Sequence, residues 1–172
     1  MQKRPFIIDC DTGTDDAIAI IAALYSDEVE VKAVTSVNGN VEHKYVCQNN
    51  LDLMEYLGQT VPVAKGAVQP FRDNGLHSSD GTHGKTGLGD LTLPRAQHSA
   101  FDPRIASQLI HEVAVEEKGE LELLVIGPMT NIAIALLQYP DLPGLIKHIW
   151  FMGGAAVGGN VNTTAEFNIW VD

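Results

Sequence analysis

The sequence predicts an α/β fold with a doubly wound, mostly parallel sheet, in one unit spanning residues 1–172. Three observations carry this. Short β-branched runs alternate with helical patterns along most of the chain. The hydrophobic content of 45% in 172 residues suffices for one substantial core. Polar residues gather just after the expected strands, at the edge where open α/β sheets place ligands.

The elements follow in order. Pro5-Phe6-Ile7-Ile8 has the unbroken apolar character of a buried parallel strand. Ala17 to Leu24 is apolar almost throughout and reads as a helix, with Gly13 at the turn before it. Val29 to Val37 is a β-branched strand ending in the turn signal Asn38-Gly39-Asn40. His43 to Leu57 reads as an amphipathic helix stopped by Gly58, and Val61 to Ala64 as a short third strand. From Lys65 to about Ala100 the pattern dissolves into Gly, Pro, Ser, Asp and His, which predicts a functional loop or mobile lid. A helix from about Pro103 to Glu117, a strand from Leu121 to Ile126, a helix from about Asn131 to Gln138 and a strand from His148 to Met152 complete the alternation.

Composition excludes some functions. A net charge of -11 without a basic patch argues against nucleic-acid or anionic-membrane partners. Two cysteines, Cys10 and Cys47, form neither a CxxC pair nor a disulfide framework, which suits a reducing cytoplasm. No leader pattern and no apolar stretch long enough to span a bilayer is present, so a cytoplasmic protein is expected.

The most informative run is Asp9-Cys10-Asp11-Thr12-Gly13-Thr14-Asp15-Asp16, four carboxylates where the first strand gives way to the first helix. Such crowding demands a cation or strongly shifted proton affinities, and a hard metal such as Ca²⁺ or Mg²⁺ is the economical answer. The plainer alternative is that Asp15 and Asp16 complement the helix dipole while Asp9 or Asp11 serves a turn. Further polar groups follow later strands: Asn40, Thr130, Asn131, Asn160, Glu166 and Asn168. Singly, each has an ordinary turn or capping explanation, but together they share the carboxyl edge.

The run resembles the Asp-x-Asp-Pro-Gly-x-Asp-Asp signature of the inosine-uridine type nucleoside hydrolases. Val37-Asn38-Gly39-Asn40, His83-Gly84-Lys85-Thr86-Gly87, Gly127-Pro128-Met129-Thr130-Asn131, Met152-Gly153-Gly154 and Ala165-Glu166-Phe167-Asn168 follow in family order. The resemblance implies hydrolysis of the N-glycosidic bond of a small-molecule ribonucleoside, with Ca²⁺ holding the ribose diol and the attacking water. It implies Asp11, Asp16 and the Thr130 carbonyl as metal ligands, and Asp11 as general base. Asp15, Asn40 and Asn168 would hold ribose hydroxyls, Asn160 and Glu166 the 5′ end, and Met152 the sugar face. His83 would lie near the base, or else is a solvated loop histidine.

Two departures stand out. Thr12 replaces the family's usual proline, which should loosen the turn without removing a ligand. Family members are also nearly twice as long, and the missing half carries another aspartate ligand and often a histidine serving the leaving base. A C-terminally truncated, weakly active or inactive remnant is therefore a second expectation, as is association into a homo-oligomer through an exposed apolar edge. A third, minor reading is a haloacid dehalogenase-like phosphatase, whose Asp-x-Asp motif Asp9 and Asp11 also resemble, although Gly13 stands where that motif wants Thr or Val.

Overall fold

A computed structural model describes residues 2–72 and 81–172. Five strands, β1 (Arg4–Cys10), β2 (Val29–Ser36), β3 (Val63–Lys65), β4 (Leu121–Val125) and β5 (Ile146–Phe151), form one sheet. Every pairing is parallel, in the order β3-β2-β1-β4-β5. The helices are α1 (Thr14–Leu24), α2 (His43–Tyr56), α3 (Ala106–Glu116), α4 (Thr130–Gln138) and α5 (Phe167–Val171).

Because β1 is central, its side chains are buried on both faces, which is why Phe6-Ile7-Ile8 is apolar without alternation. Ile7, Ala33, Leu123 and Val125 pack under Leu109, Ile110 and Ile132 of α3 and α4. Ile8, Cys10 and Val34 pack under Ile20, Leu51, Leu53 and Met54 of α1 and α2. The chain winds from β1 outward to β3, then crosses to β4 on the other side of β1. The loops after β1 and β4 therefore diverge and leave a crevice at the carboxyl end of β1, where the four aspartates lie.

Element boundaries differ from expectation for local reasons. The third strand is Val63–Lys65: Pro62 has no N–H to donate and contributes only its carbonyl, to Val34 N at 2.9 Å. The next helix starts at Ala106, because Asp102 binds the N–H of Arg104 at 2.9 Å and holds Pro103-Arg104 in a turn. The fifth strand runs Ile146–Phe151, beginning two residues earlier than its pattern suggested. Gly58 does stop α2, adopting φ +66 and donating to the Glu55 carbonyl at 3.0 Å.

The long stretch after β3 contains no helix or strand among its described residues, and part of it, residues 73–80, lies outside them. Its later portion is not loose. Ala96 N–H donates to Asp52 at 2.8 Å, and Gln97, His98 and Ser99 donate to the Glu55 carboxylate at 2.7, 2.9 and 2.6 Å. These three successive amides draw the Glu55 carboxyl down to about 2. Among the described residues no helix is long and apolar enough to cross a membrane. At the end of the edge strand β5, Trp150, Phe151 and the following Met152 are 47%, 55% and 45% exposed.

Candidate active site

The turn from β1 into α1 builds the floor of the site. Gly13 N–H donates to Asp16 at 2.7 Å, so the first helical turn closes on its own acidic side chain. Asp11 is fully buried; its Oδ2 accepts from Asn40 N–H at 2.8 Å, whereas its Oδ1 has no partner. The Asn40 side-chain amide reaches Asp16 Oδ2 at 3.4 Å, so one residue of the β2–α2 loop links both carboxylates. Gly39 permits this approach: a Cβ there would lie 2.0 Å from Asp11 Oδ2.

Burial, then the nearby Asp16 charge, pushes the Asp11 carboxyl well above the ordinary aspartate range. Burial first, then the Asp15 charge, raises Asp16 to about 7, against the lowering effect of the Gly13 amide. Burial alone raises Asp9 to about 7, opposed by Asn131 and Thr35. Among the described residues no lysine or arginine forms an ion pair with Asp9, Asp11 or Asp16. Dipole complementation accounts for Asp15 at the helix end but not for buried Asp9 and Asp11.

Above this floor lies a cavity of about 180 Å³. Asp15, Asp16, Asn40, His83, Met152, Asn160, Glu166 and Asn168 all line it. Eight of the ten expected site residues thus meet around one space, and Asp11 lies beneath it through Asn40. Asn160 accepts from Phe167 N–H at 2.8 Å, and Glu166 caps α5 by accepting from Ile169 N–H at 3.2 Å. The second Glu166 oxygen, Oε1, is buried and unpartnered, like Asp11 Oδ1. Asn168 donates to the carbonyls of Ile126 and Met152 at 2.8 and 3.2 Å, tying together the ends of β4 and β5. His83 is no free loop histidine: its Nδ1 lies 3.3 Å from Thr14 N and 3.7 Å from Asp15.

Thr130 stands apart. It is buried at the start of α4 and does not line the cavity; its hydroxyl donates to Asp172 at 2.7 Å and accepts from Asn38 at 3.3 Å. Thr12 does not loosen its turn. Its fully buried hydroxyl bonds Asn50 and Cys10, contacts that proline could not make.

Sequence reasoning assigned no role to Asn131, yet it is the main brace of the floor. Its Nδ2 donates to Asp9 at 2.7 Å and to the Ser36 carbonyl at 3.1 Å, while its Oδ1 accepts from Ala67 N–H at 2.7 Å. Its neighbour in that network, Thr35 on β2, donates to Asp9. The only available signal was the position of Asn131 after a strand. Thr82, Val161 and Phe167 complete the cavity wall.

The sequence profile of the inosine-uridine preferring nucleoside hydrolases matches residues 6–172. The chain belongs to this nucleoside hydrolase family. It is 42% identical over 174 residues to the pyrimidine-specific ribonucleoside hydrolase RihA of Photobacterium profundum, covering 99% of this chain and 55% of that protein. Identity to RihA of Escherichia coli O127:H6 is 42% over 171 residues, covering 98% and 54%. Among solved structures, the purine-preferring ribonucleoside hydrolase from Gardnerella vaginalis superimposes with a TM-score of 0.92 at 35% identity, covering 98% of this chain and 54% of that one. The plant nucleoside hydrolase PpNRh1 gives 0.90 at 34%, covering 99% and 54%. The nucleoside hydrolase fold is thus shown, and the chain spans about half the length of the curated relatives it matches.

Membership leaves the phosphatase reading without support. Asp9, which would be its nucleophile, is buried against Thr35 and Asn131 and does not line the cavity.

The donor set fits a hard cation. Asp11 offers an unpartnered buried oxygen, and Asp16 is bound to the same Asn40. Among the described residues no three His, Cys, Asp or Glu side chains form a ready metal cage, so two carboxylates are the core of what this stretch provides.

Proposed function

We propose that this chain carries the ribose-binding and water-activating half of a ribonucleoside hydrolase, cleaving the N-glycosidic bond to give ribose and free base. One observation carries the reading: eight residues scattered from Asp15 to Asn168 line a single cavity over a buried aspartate with one carboxylate oxygen fixed and one unpartnered. Nucleoside hydrolases are generally metal-dependent. Asp11, Asp16 and the Thr130 carbonyl would hold Ca²⁺, which when bound supplies Lewis acidity toward water and a chelating centre for the ribose diol.

Asp11 acts as general base. Asn40 N–H fixes its Oδ2, leaving Oδ1 to take the proton of the attacking water as the C–O bond forms and the C–N bond breaks. Asp15, Asn40 and Asn168 hold ribose hydroxyls, Asn160 and Glu166 receive the 5′ hydroxyl, and Met152 covers the sugar face. Positive charge developing on the ribose is stabilised by this acidic surround. His83 stands on the base side. Of the relatives named above, two are pyrimidine-specific and one is purine-preferring, so their names select no base for this chain.

A second reading, that the chain works only when joined to a complementary segment or a second copy, draws support from the exposed Trp150, Phe151 and Met152 beside the cavity. Two free cysteines, Cys10 and Cys47, favour a reducing, cytoplasmic setting. Ribose release from inosine and uridine in Ca²⁺ tests the proposal. Turnover lowered about 10²–10⁴-fold in Asp11→Asn is expected. No turnover by the purified chain, alone or in its assembled form, would overturn it.

A further inference from the structure

The segment between β3 and α3 has no helix or strand among its described residues, yet it brings His83 to the cavity wall. Two contacts set that place from the α1 side: Thr14 N–H and hydroxyl meet His83 Nδ1 at 3.3 and 3.1 Å, and the ring packs flat against Gly13, where a Cβ would lie 2.8 Å from Nδ1. The other side is a tight turn, closed where Gly89 N–H donates to the His83 carbonyl at 2.8 Å.

That turn is bound to α2 by one side chain. Asn49 Nδ2 donates to the Thr86 carbonyl at 2.6 Å. Next to it Gly87, with φ +97, lies so close that a Cβ would be 2.8 Å from the Thr12 carbonyl and 2.9 Å from Asn49 Nδ2. The turn is thereby pressed into the angle between the Asp-rich β1–α1 junction and α2. One and two helical turns further along, Asp52 and Glu55 hold the backbone of residues 96–99. The α2 surface is a polar rail that the loop follows, and Asn49 is its contact nearest to His83.

We propose that Asn49 is a positioning residue that holds His83 over the nucleoside cavity through the Thr86 carbonyl and the 83–89 turn. It touches neither the sugar nor the expected cation ligands. Its influence on catalysis rests on the hydrolase reading above, but its influence on His83 does not.

Residue-resolved amide hydrogen exchange on the full chain, with nucleoside kinetics beside it, provides the test. In Asn49→Ala, exchange at Gly89 and Thr14, the two amides that donate to His83, should accelerate about fivefold or more, while β1 and the interior of α2 keep their protection. Asn49→Asp, equal in size but unable to donate, should behave alike, and Gly87→Ala should reproduce the effect through the backbone. For inosine and uridine, Asn49→Ala should raise KM about fivefold with kcat little changed, and should add nothing in a His83→Ala background. Unchanged exchange at Gly89 and Thr14, or full additivity with His83→Ala, would overturn the proposal. Faster exchange in a protein whose wild type hydrolyses no nucleoside would uphold the anchor and refute the hydrolase reading.

Discussion

Replacing Asn131 with alanine removes three hydrogen bonds from the centre of the sheet's carboxyl edge. Its Nδ2 bonds to Asp9 and the Ser36 carbonyl disappear, and the Ala67 N–H loses its acceptor. The consequences differ by group. Ala67 N–H is left without its partner, at about 1–3 kcal/mol, and the Asp9 carboxylate keeps only Thr35, at about 1.5–3 kcal/mol. The expected loss is therefore about 3–5 kcal/mol, a large share of a typical domain stability of about 5–15 kcal/mol. In urea unfolding followed by far-UV circular dichroism, a slope of about 2 kcal/mol per molar turns this into a midpoint lowered by about 2 M. Asn131→Asp sharpens the test. Its carboxylate would stand where an amide now lies 2.7 Å from Asp9, so the pair should share a proton and both pKa values should not remain low. Such a pair is raised in the folded state, and its stability is present at low pH and lost as pH rises. The variant should approach wild-type stability near pH 5 and fall behind it at pH 8. A loss under about 1 kcal/mol in Asn131→Ala, or an Asn131→Asp protein indifferent to pH, would show that Asn131 does not brace the floor.

Other outcomes follow from single contacts. Gly39→Ala forces a methyl group against Asp11 Oδ2 and should cost about 1–3 kcal/mol of stability and, if the proposed Ca²⁺ site is right, weaken Ca²⁺ binding measured by calorimetry at least tenfold. Glu55, drawn down to about 2 by the amides of Gln97, His98 and Ser99, contributes stability that is present above the ordinary glutamate range and lost as pH falls toward 2. In Glu55→Gln those amides should be less protected at pH 6, with the wild type losing the same protection, relative to intrinsic exchange, only near pH 2. Leu123→Ala, in the fully packed layer under α3 and α4, should cost about 2–5 kcal/mol by thermal or urea unfolding.

Much of the fold was legible because the two faces of the sheet demand different patterns from helices and strands. The unbroken apolar run of β1 and the Asn-Gly-Asn turn after β2 both lead to the observed elements. Boundaries were less legible where a side chain overrides the local pattern, as Asp102 does in delaying α3 past Pro103. Within the site, Asp11, Asp15 and Asp16 stood out because crowded acids violate an electrostatic expectation that any reader of the sequence can apply. Asn131, Asn49 and Glu55 violate nothing. Each is an ordinary polar residue on a helix, and its role exists only once a distant backbone segment comes to meet it. Thr12 shows the opposite limit: a substitution for proline looks like loosened geometry until Asn50 is seen accepting its hydroxyl.

The central position of β1 also has a kinetic meaning. Asp9 bonds to Thr35, 26 residues away, and to Asn131, 122 residues away. The first closure can occur in a nascent chain that has reached β2, whereas the second waits until the crossover to β4 and α4 is made. Until then the buried acids have half of their surroundings and every reason to stay hydrated. The acidic floor is thus complete only when both wings of the sheet are in place on β1. The proposed cation site, which joins Asp11 beside central β1 to Thr130 beyond β4, would be complete only in a chain that has made this crossover.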